Sequence, residues 1–141
     1  MKARRVEGLD RDVPLRPNAA RIVATRLAEL LALSGAALDP EAARAQHDLR
    51  IAAKRLRYVL EITESCFGAE AETARKAAKQ LQGVLGEIHD CDVMLPGAGE
   101  IESLQTLLRT RRELLFQRFR ELWLAESDRG TWSALEHALQ A

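Results

Sequence analysis

The sequence has few aromatic residues, few cysteines and no apolar run long enough to cross a bilayer. With aromatic residues at 4%, it lacks the interleaved aromatic and basic residues that single-strand nucleic-acid binders use to stack bases. The two cysteines, Cys66 and Cys91, have no metal-ligand spacing and are too few for a disulfide framework. We expect two buried thiols in a reducing compartment.

Net charge of either sign is also lacking. The chain has 21 basic and 21 acidic residues, and 47% of its 141 residues are hydrophobic. This composition is typical of one globular domain over 1–141 and argues against intrinsic disorder. Its start, MKARRVEGLDRDVPLRP, has no apolar core such as a signal peptide needs. We therefore expect a cytoplasmic protein without a membrane partner.

Strand-like alternation is absent, and Leu, Ala, Glu and Arg dominate segments with apolar residues three and four apart. The pattern predicts an all-α fold with helices at about residues 17–34, 40–66, 69–95 and 98–126, and a short one at about 131–140. Short connections favour an antiparallel, up-down four-helix bundle with a C-terminal helix, after an irregular segment over about 1–16. Asp39 and Pro40 resemble an N-cap and first turn, and Gly68 a helix stop.

The second predicted helix has a basic face. Within about 80° of His47 on a helical projection lie Arg50, Lys54, Arg57 and Glu61. The opposite, core-facing side holds Leu49, Ala52, Ala53, Leu56, Val59, Leu60 and Thr63. Like charges four residues apart repel one another, so an external anion would compensate them; a face that is merely solvated is the alternative.

A third strip on this helix, beside the basic face, consists of Ile51, Tyr58 and Ile62. It either packs against a neighbouring helix of the same bundle or meets a second copy of the chain.

The third predicted helix adds a second basic stripe, which consists of Arg75, Lys79, Gln82, Gly86 and His89. Gly83 and Gly86 are each unfavourable by about 1 kcal/mol in a helix interior. Close helix packing is one reason for them, and room for a bulky anion beside His89 is the other.

In the fourth predicted helix, Arg112 falls on the apolar face. Either its stem lies on apolar surface with its head at the edge, or its head contributes to a basic groove. Trp123 and Trp132 are more typical of core anchors than of base-stacking platforms.

Two blocks, HDLRIAAKRLRYVLE at 47–61 and LQGVLGEIHDCDVML at 81–95, resemble the CHAD domain, a histidine-containing α-helical family that binds inorganic polyphosphate. The matching positions are His47, Arg50, Lys54, Arg55, Arg57, Tyr58, Leu81, Gln82, Leu85, Gly86 and Asp90. The resemblance covers about residues 40–125, and the first helix fits only in kind.

That family typically has two bundles flanking a basic channel, whereas this chain has residues for one bundle and is similar to the second half. A homodimer would supply the other half.

The leading hypothesis is a binding module for linear polyanions, most of all polyphosphate, with no enzymatic activity, no cofactor and no metal site. The residues expected to bind are His47, Arg50, Lys54, Arg55, Arg57, Arg75, Lys79, His89 and Arg112. Protonation of His47 should strengthen binding as the pH falls through about 6.5. Nucleic acid is expected only as a competing polyanion. The resemblance also allows association with polyphosphate granules within the cytoplasm.

Two alternatives remain open. One is a structural adaptor whose basic faces are solvated. The other is a metal-dependent phosphohydrolase built on the run His89-Asp90-Cys91-Asp92 together with Asp48, although no Glu-x-x-His pairs recur across the helices as di-metal bundles require.

Overall fold

The structure, a computed structural model, describes all residues from 1 to 141, and it confirms the all-α prediction. The five helices are α1 (Leu15–Ala37), α2 (Ala43–Thr63), α3 (Ala69–Gly97), α4 (Glu102–Asp128) and α5 (Thr131–Gln140). A 3-10 turn, Glu64–Cys66, follows α2. Before α1 the chain is irregular, and no strand is present.

The predicted N-cap at Asp39 is wrong. The helix begins at Ala43, and Oδ1 of Asp39 accepts a hydrogen bond from the backbone N–H of Glu41 at 3.0 Å. Asp39 therefore stabilises a turn by bonding to the backbone two residues later, because its short side chain can accept a hydrogen bond from a nearby backbone N–H. Gly68 does end the preceding segment: its φ of 81° is a left-handed conformation that favours glycine.

Helices that follow one another in the chain pack together. α1 lies against α2, α2 against α3 and α3 against α4, while α5 contacts α1, α3 and α4. Between α1 and α2, Nε2 of Gln46 donates a hydrogen bond to the backbone oxygen of Ala37, and Arg55 forms an ion pair with Glu29. The later residue of α1 therefore contacts the earlier residue of α2, as in antiparallel helices. This order is consistent with the predicted up-down arrangement, with α5 rather than α4 beside α1.

The core consists largely of leucine and alanine from all five helices. On α2, the predicted core face is buried except for Val59, which is only partly covered. Burial of a leucine side chain stabilises the fold by about 1.5–3 kcal/mol, so the rotation of α2 about its axis is firmly set. The basic face of α2 must then turn away from the core.

Cys91 is buried and Cys66 only partly so, in contrast to the two buried thiols expected, and both are free. Burial raises the pKa of the Cys91 thiol, which disfavours the reactive thiolate. None of the five helices combines the length and the apolar character that a membrane crossing requires.

Candidate functional site

A polar groove runs between α2 and α3, with a volume of about 360 Å³. No hydrophobic residue lines it. Its lining consists of Arg50 and Arg57 from α2 and Lys79, Gln82, Gly83, Gly86, Glu87 and Asp90 from α3. The two basic stripes predicted from the sequence therefore meet in one place, which is called the α2–α3 groove below.

Arg50 lies against the backbone of α3 at Gly86. A Cβ atom added at Gly86 would lie 3.4 Å from Nε of Arg50, which is van der Waals contact. A methyl group would therefore fit beside Arg50, so close packing alone does not require a glycine at position 86. Nε of Arg50 is buried without a hydrogen-bond partner, and no carboxylate lies within ion-pair distance of this arginine. Arg50 therefore forms no ion pair within the chain.

The other groove cations differ in how far they are paired. Arg57 forms an ion pair with Glu61 at 3.5 Å, and its guanidinium lies over the ring of Tyr58 at 4.7 Å. Lys79 is exposed and has no acidic partner. Lys54, half-buried and also unpaired, lies one turn from Arg50 and Arg57 but does not line the groove itself. Positive charge is therefore available chiefly at Arg50, Lys54 and Lys79.

Two histidines lie between α2 and α3, one turn beyond Arg50 and Gly86. The α2–α3 groove, these histidines and the neighbouring Lys54 are together called the α2–α3 seam below. The rings of His47 and His89 stack with centroids 4.1 Å apart and an interplanar angle of 22°. Burial lowers the pKa of His47, and the nearby charges of His89 and Arg50 lower it further, while Asp48 opposes them. At neutral pH His47 is therefore neutral, and a nearby anion would favour its protonation.

The groove also contains two carboxylates, Glu87 and Asp90, that the sequence analysis did not assign to it. Glu87 is paired with Arg111 of α4 at 3.2 Å, so its charge is largely compensated. Asp90 is exposed and has no ion pair. Helical spacing could have revealed Asp90, because it lies one turn after Gly86 and three turns after Lys79, on the same outer face of α3.

Arg55 does not face the groove. It is turned towards α1, where it pairs with the buried Glu29 at 3.5 Å and donates a hydrogen bond to the backbone oxygen of Met1 at 2.7 Å. Glu29 also accepts hydrogen bonds from the side chain of Arg26 and the backbone N–H of Arg4. The cation at position 55 therefore stabilises the α1–α2 contact.

Arg112 lies in a different place from the groove. Its guanidinium pairs with Asp92 of α3 and donates hydrogen bonds to Oε1 of Gln46 at 2.6 Å and to the backbone oxygen of Pro40 at 2.9 Å. It borders a separate cavity of about 650 Å³ between the α1–α2 connection, α3 and α4. Neither alternative considered for it describes this arrangement, in which a saturated guanidinium joins three segments.

Arg75 is also paired internally, with Glu64 of the 3-10 turn. Of the nine residues predicted to bind, the structure thus brings six to the α2–α3 seam. These are His47, Arg50, Lys54, Arg57, Lys79 and His89. Arg55 and Arg112 lie elsewhere, and the charge of Arg75 is compensated.

The apolar strip on α2 remains uncovered. Tyr58 is 46% exposed and Ile62 78% exposed, whereas Ile51 is half-buried. Lateral packing within the chain therefore does not account for Tyr58 and Ile62. Trp123 and Trp132, in contrast, are buried and stack at 5.7 Å as core anchors.

The chain matches the family model of the CHAD domain over residues 3–97. That is 95 of 141 residues, and it includes every cation of the α2–α3 seam. The chain belongs to the CHAD-domain family. Comparison with curated proteins and with solved structures gave no match.

The extent of the CHAD match differs from the one expected from the two sequence blocks. It begins before α1, includes that helix and ends with α3, instead of running from about residue 40 to 125. The CHAD signature in this chain is therefore carried by α1, α2 and α3, and Arg112 on α4 falls outside it. No three His, Cys, Asp or Glu side chains come together in this CHAD domain as a metal-binding group would.

Proposed function

We propose that this CHAD domain is a binding module for linear polyanions, with inorganic polyphosphate as the main ligand and the α2–α3 groove as the binding site. The observation that supports it most is the set of unpaired cations, Arg50, Lys54 and Lys79, around a groove without hydrophobic lining. Elsewhere in the chain, four half-buried arginines have carboxylate partners, namely Arg26, Arg55, Arg75 and Arg112, and the half-buried Arg16 donates hydrogen bonds to two backbone oxygens. An external anion would provide the ion-pair partner that these three cations lack within the chain.

The chemistry of the groove suits a repeating phosphate ligand. Arginine can donate two parallel hydrogen bonds to phosphate oxygens, and lysine acts as a mobile point charge. Gln82, half-buried on α3, adds an amide that can donate to the same oxygens. A polymer of identical units needs no base-reading side chains and no series of aromatic stacking platforms.

Binding of labelled long-chain polyphosphate, titrated at several salt concentrations, tests the proposal. We expect affinity to fall steeply as salt rises, because screening weakens attraction between exposed charges. Arg50→Gln should weaken binding about tenfold or more, since a hydrogen bond to a charged group contributes about 1.5–3 kcal/mol. Glutamine keeps part of the side-chain stem that packs on Gly86, which protects the fold.

Arg120→Gln is the matched control, because Arg120 is exposed on α4, has no ion pair and does not line the groove. Equal losses in the two variants would indicate diffuse attraction rather than a site. Salt-independent binding would contradict the electrostatic account altogether. Competition with DNA of equal charge then separates a polyphosphate site from a general polyanion surface.

The proposed activity is binding without hydrolysis. Polyphosphate incubated with the protein and magnesium, manganese or zinc should release no phosphate above the rate in protein-free controls. Metal-dependent release that disappears in Asp90→Ala would instead support a phosphohydrolase. If polyphosphate does not bind at all, the adaptor hypothesis becomes the better description.

A further inference from the structure

Gly83 lies where two grooves meet on the outer surface of α3. It lines the α2–α3 groove and also a second groove of about 380 Å³ between α3 and α4. This α3–α4 groove is bordered by Gln80, Gly83, Val84, Glu87, Arg118 and Leu122. The two depressions are therefore adjacent, with the backbone of α3 at Gly83 between them.

No packing contact explains a glycine at this position. Gly83 is exposed in the interior of α3, and a Cβ atom added to it would meet nothing within 4 Å. Gly86, three residues later, differs because Arg50 occupies the space beside it. Glycine is among the poorest helix formers, so its use in open space costs stability without any internal gain. What it does provide is a low point on the helix surface, where a ligand can approach the backbone.

Cations lie on both sides of that low point. Lys79 and Arg50 belong to the α2–α3 groove, and Arg118 borders the α3–α4 groove. Arg118 is exposed and, like Lys79, forms no ion pair. Glu87, the one carboxylate that borders both grooves, is paired with Arg111 at 3.2 Å. Asp90, the unpaired carboxylate of the α2–α3 groove, lies about two helical turns beyond Gly83 and does not border the α3–α4 groove.

We propose that a bound polyanion crosses α3 over Gly83 and continues from the α2–α3 groove into the α3–α4 groove, where it contacts Arg118. This inference rests on the proposed function and adds to it the direction of the bound chain and a further binding residue. The ligand runs across α3 and not only along the seam with α2. Since a helix is about 10–12 Å wide, only a chain of several phosphates reaches both grooves.

The first test is Gly83→Ala, for which stability and affinity should change in opposite directions. Alanine is the better helix former, so the melting temperature should rise by a few degrees, whereas affinity for long-chain polyphosphate should fall about threefold. Gly83→Gln, with a longer side chain, should reduce affinity further. Gly35→Ala is the matched control, because Gly35 is an exposed glycine of α1 that also has nothing within 4 Å of its Cβ position. It should raise the melting temperature and leave affinity unchanged.

The second test compares Arg118→Gln with Arg120→Gln on the same helix. Both arginines are exposed and unpaired, but Arg120 borders neither groove. Long-chain polyphosphate should bind Arg118→Gln several-fold more weakly than Arg120→Gln. Inorganic pyrophosphate, too short to span α3, should bind both variants equally.

Parental affinity in Gly83→Ala and Gly83→Gln would overturn the crossing, as would equal affinities of Arg118→Gln and Arg120→Gln. In that case weaker binding of Arg50→Gln would still support the proposed function. Absence of polyphosphate binding by the parent chain would overturn both.

Discussion

The imidazole rings of His47 and His89 stack face to face, with centroids 4.1 Å apart, at the end of the α2–α3 groove. Two titratable rings at this distance cannot both accept a proton without repulsion. Arg50 and Arg44 add to that repulsion at His47, and Asp48 only partly offsets it. His47 therefore contributes less positive charge to the free protein near neutral pH than its position in the sequence suggests.

Polyphosphate affinity should rise on acidification, and the rise should extend below pH 6.5. In the free protein the pKa of His47 is lowered, chiefly by burial, and a bound anion raises it again. Binding then takes up a proton between the two pKa values, so affinity increases as the pH falls through that interval. Calorimetry in buffers of different ionisation enthalpy, at pH 7.5, 6.5 and 5.5, measures both the affinity and the proton uptake. His47→Gln should flatten the profile; a parent profile that is already flat would contradict the linkage.

The stability of the ligand-free protein should change in the opposite direction. Because the pKa of His47 is lowered by folding, the unfolded chain binds the proton first as the pH falls below about 6.5. Stability present above that pH is lost on acidification, and polyphosphate should restore it. Urea unfolding at pH 7.5 and 5.5, with His47→Gln as the comparison, checks the sign.

Neutralising Asp90 should strengthen polyphosphate binding. Its carboxylate lines the groove without an ion pair and repels a bound anion. Asp90→Asn removes one unit of repulsion at nearly constant shape, so we expect a gain of about threefold to tenfold at low salt, which diminishes as salt rises. Glu113→Gln on α4 is a suitable control, because this exposed carboxylate lies outside the groove. If Asp90→Asn instead binds polyphosphate more weakly than the parent, and magnesium strengthens binding by the parent but not by the variant, then Asp90 helps to hold a ligand-bound cation.

Arg55 and Arg50 should give opposite phenotypes although both belong to the same basic run. Arg55 pairs with Glu29, which is 2% exposed, so Arg55→Gln leaves a buried carboxylate with fewer partners. We expect it to lower the free energy of unfolding by about 1–3 kcal/mol and to leave polyphosphate affinity within about twofold. Arg50→Gln should do the reverse. Denaturant unfolding and binding, measured on the same preparations, separate the two, and loss of affinity in folded Arg55→Gln would place Arg55 among the ligand contacts.

These contrasts show what helical periodicity can and cannot predict. The spacing of Leu49, Leu56 and Leu60 determines the buried side of α2, and Arg50 and Arg57 then have to lie on another side. Helical spacing gives the face of a helix on which a side chain lies, but it does not show which residues of the neighbouring helix that side chain contacts. Arg55 was assigned to the binding site for that reason, since Glu29 lies on α1, 26 positions earlier in the sequence.

Arg112 illustrates the same limit from the core side. Helical spacing places Arg112 on an apolar face of α4. Its partners Asp92, Gln46 and Pro40 belong to three separate segments, which only the folded chain brings together. Local capping chemistry was also ambiguous, because Asp39 can bond to the backbone either at a helix start or in a turn. The absence of packing at Gly83 likewise required the positions of neighbouring helices.

The exposed strip on α2 leads to a last prediction, a dimer of this chain that depends on polyphosphate. Tyr58 and Ile62 are exposed beside Arg57, whose guanidinium lies on the Tyr58 ring. A second copy could cover the strip, and burying an aliphatic side chain such as Ile62 favours association by about 1.5–3 kcal/mol. Stable interfaces bury about 1,200–2,000 Å², far more than three side chains provide, and like-charged grooves would face one another. The free protein should therefore be monomeric, and a polyanion that neutralises both grooves should shift it towards the dimer.

Light scattering at matched protein concentrations, without anion, with pyrophosphate and with long-chain polyphosphate, measures this shift. Two monomers bound independently to one polymer would also raise the mass, so the decisive variant is Tyr58→Glu, which places a charge in the strip. It should reduce dimerisation while one-to-one binding remains, whereas Leu114→Glu, at a site that is 68% exposed on α4, should have no effect. Equal masses for the parent and Tyr58→Glu under all three conditions would mean that the strip takes no part in association, and each groove would then bind its ligand alone.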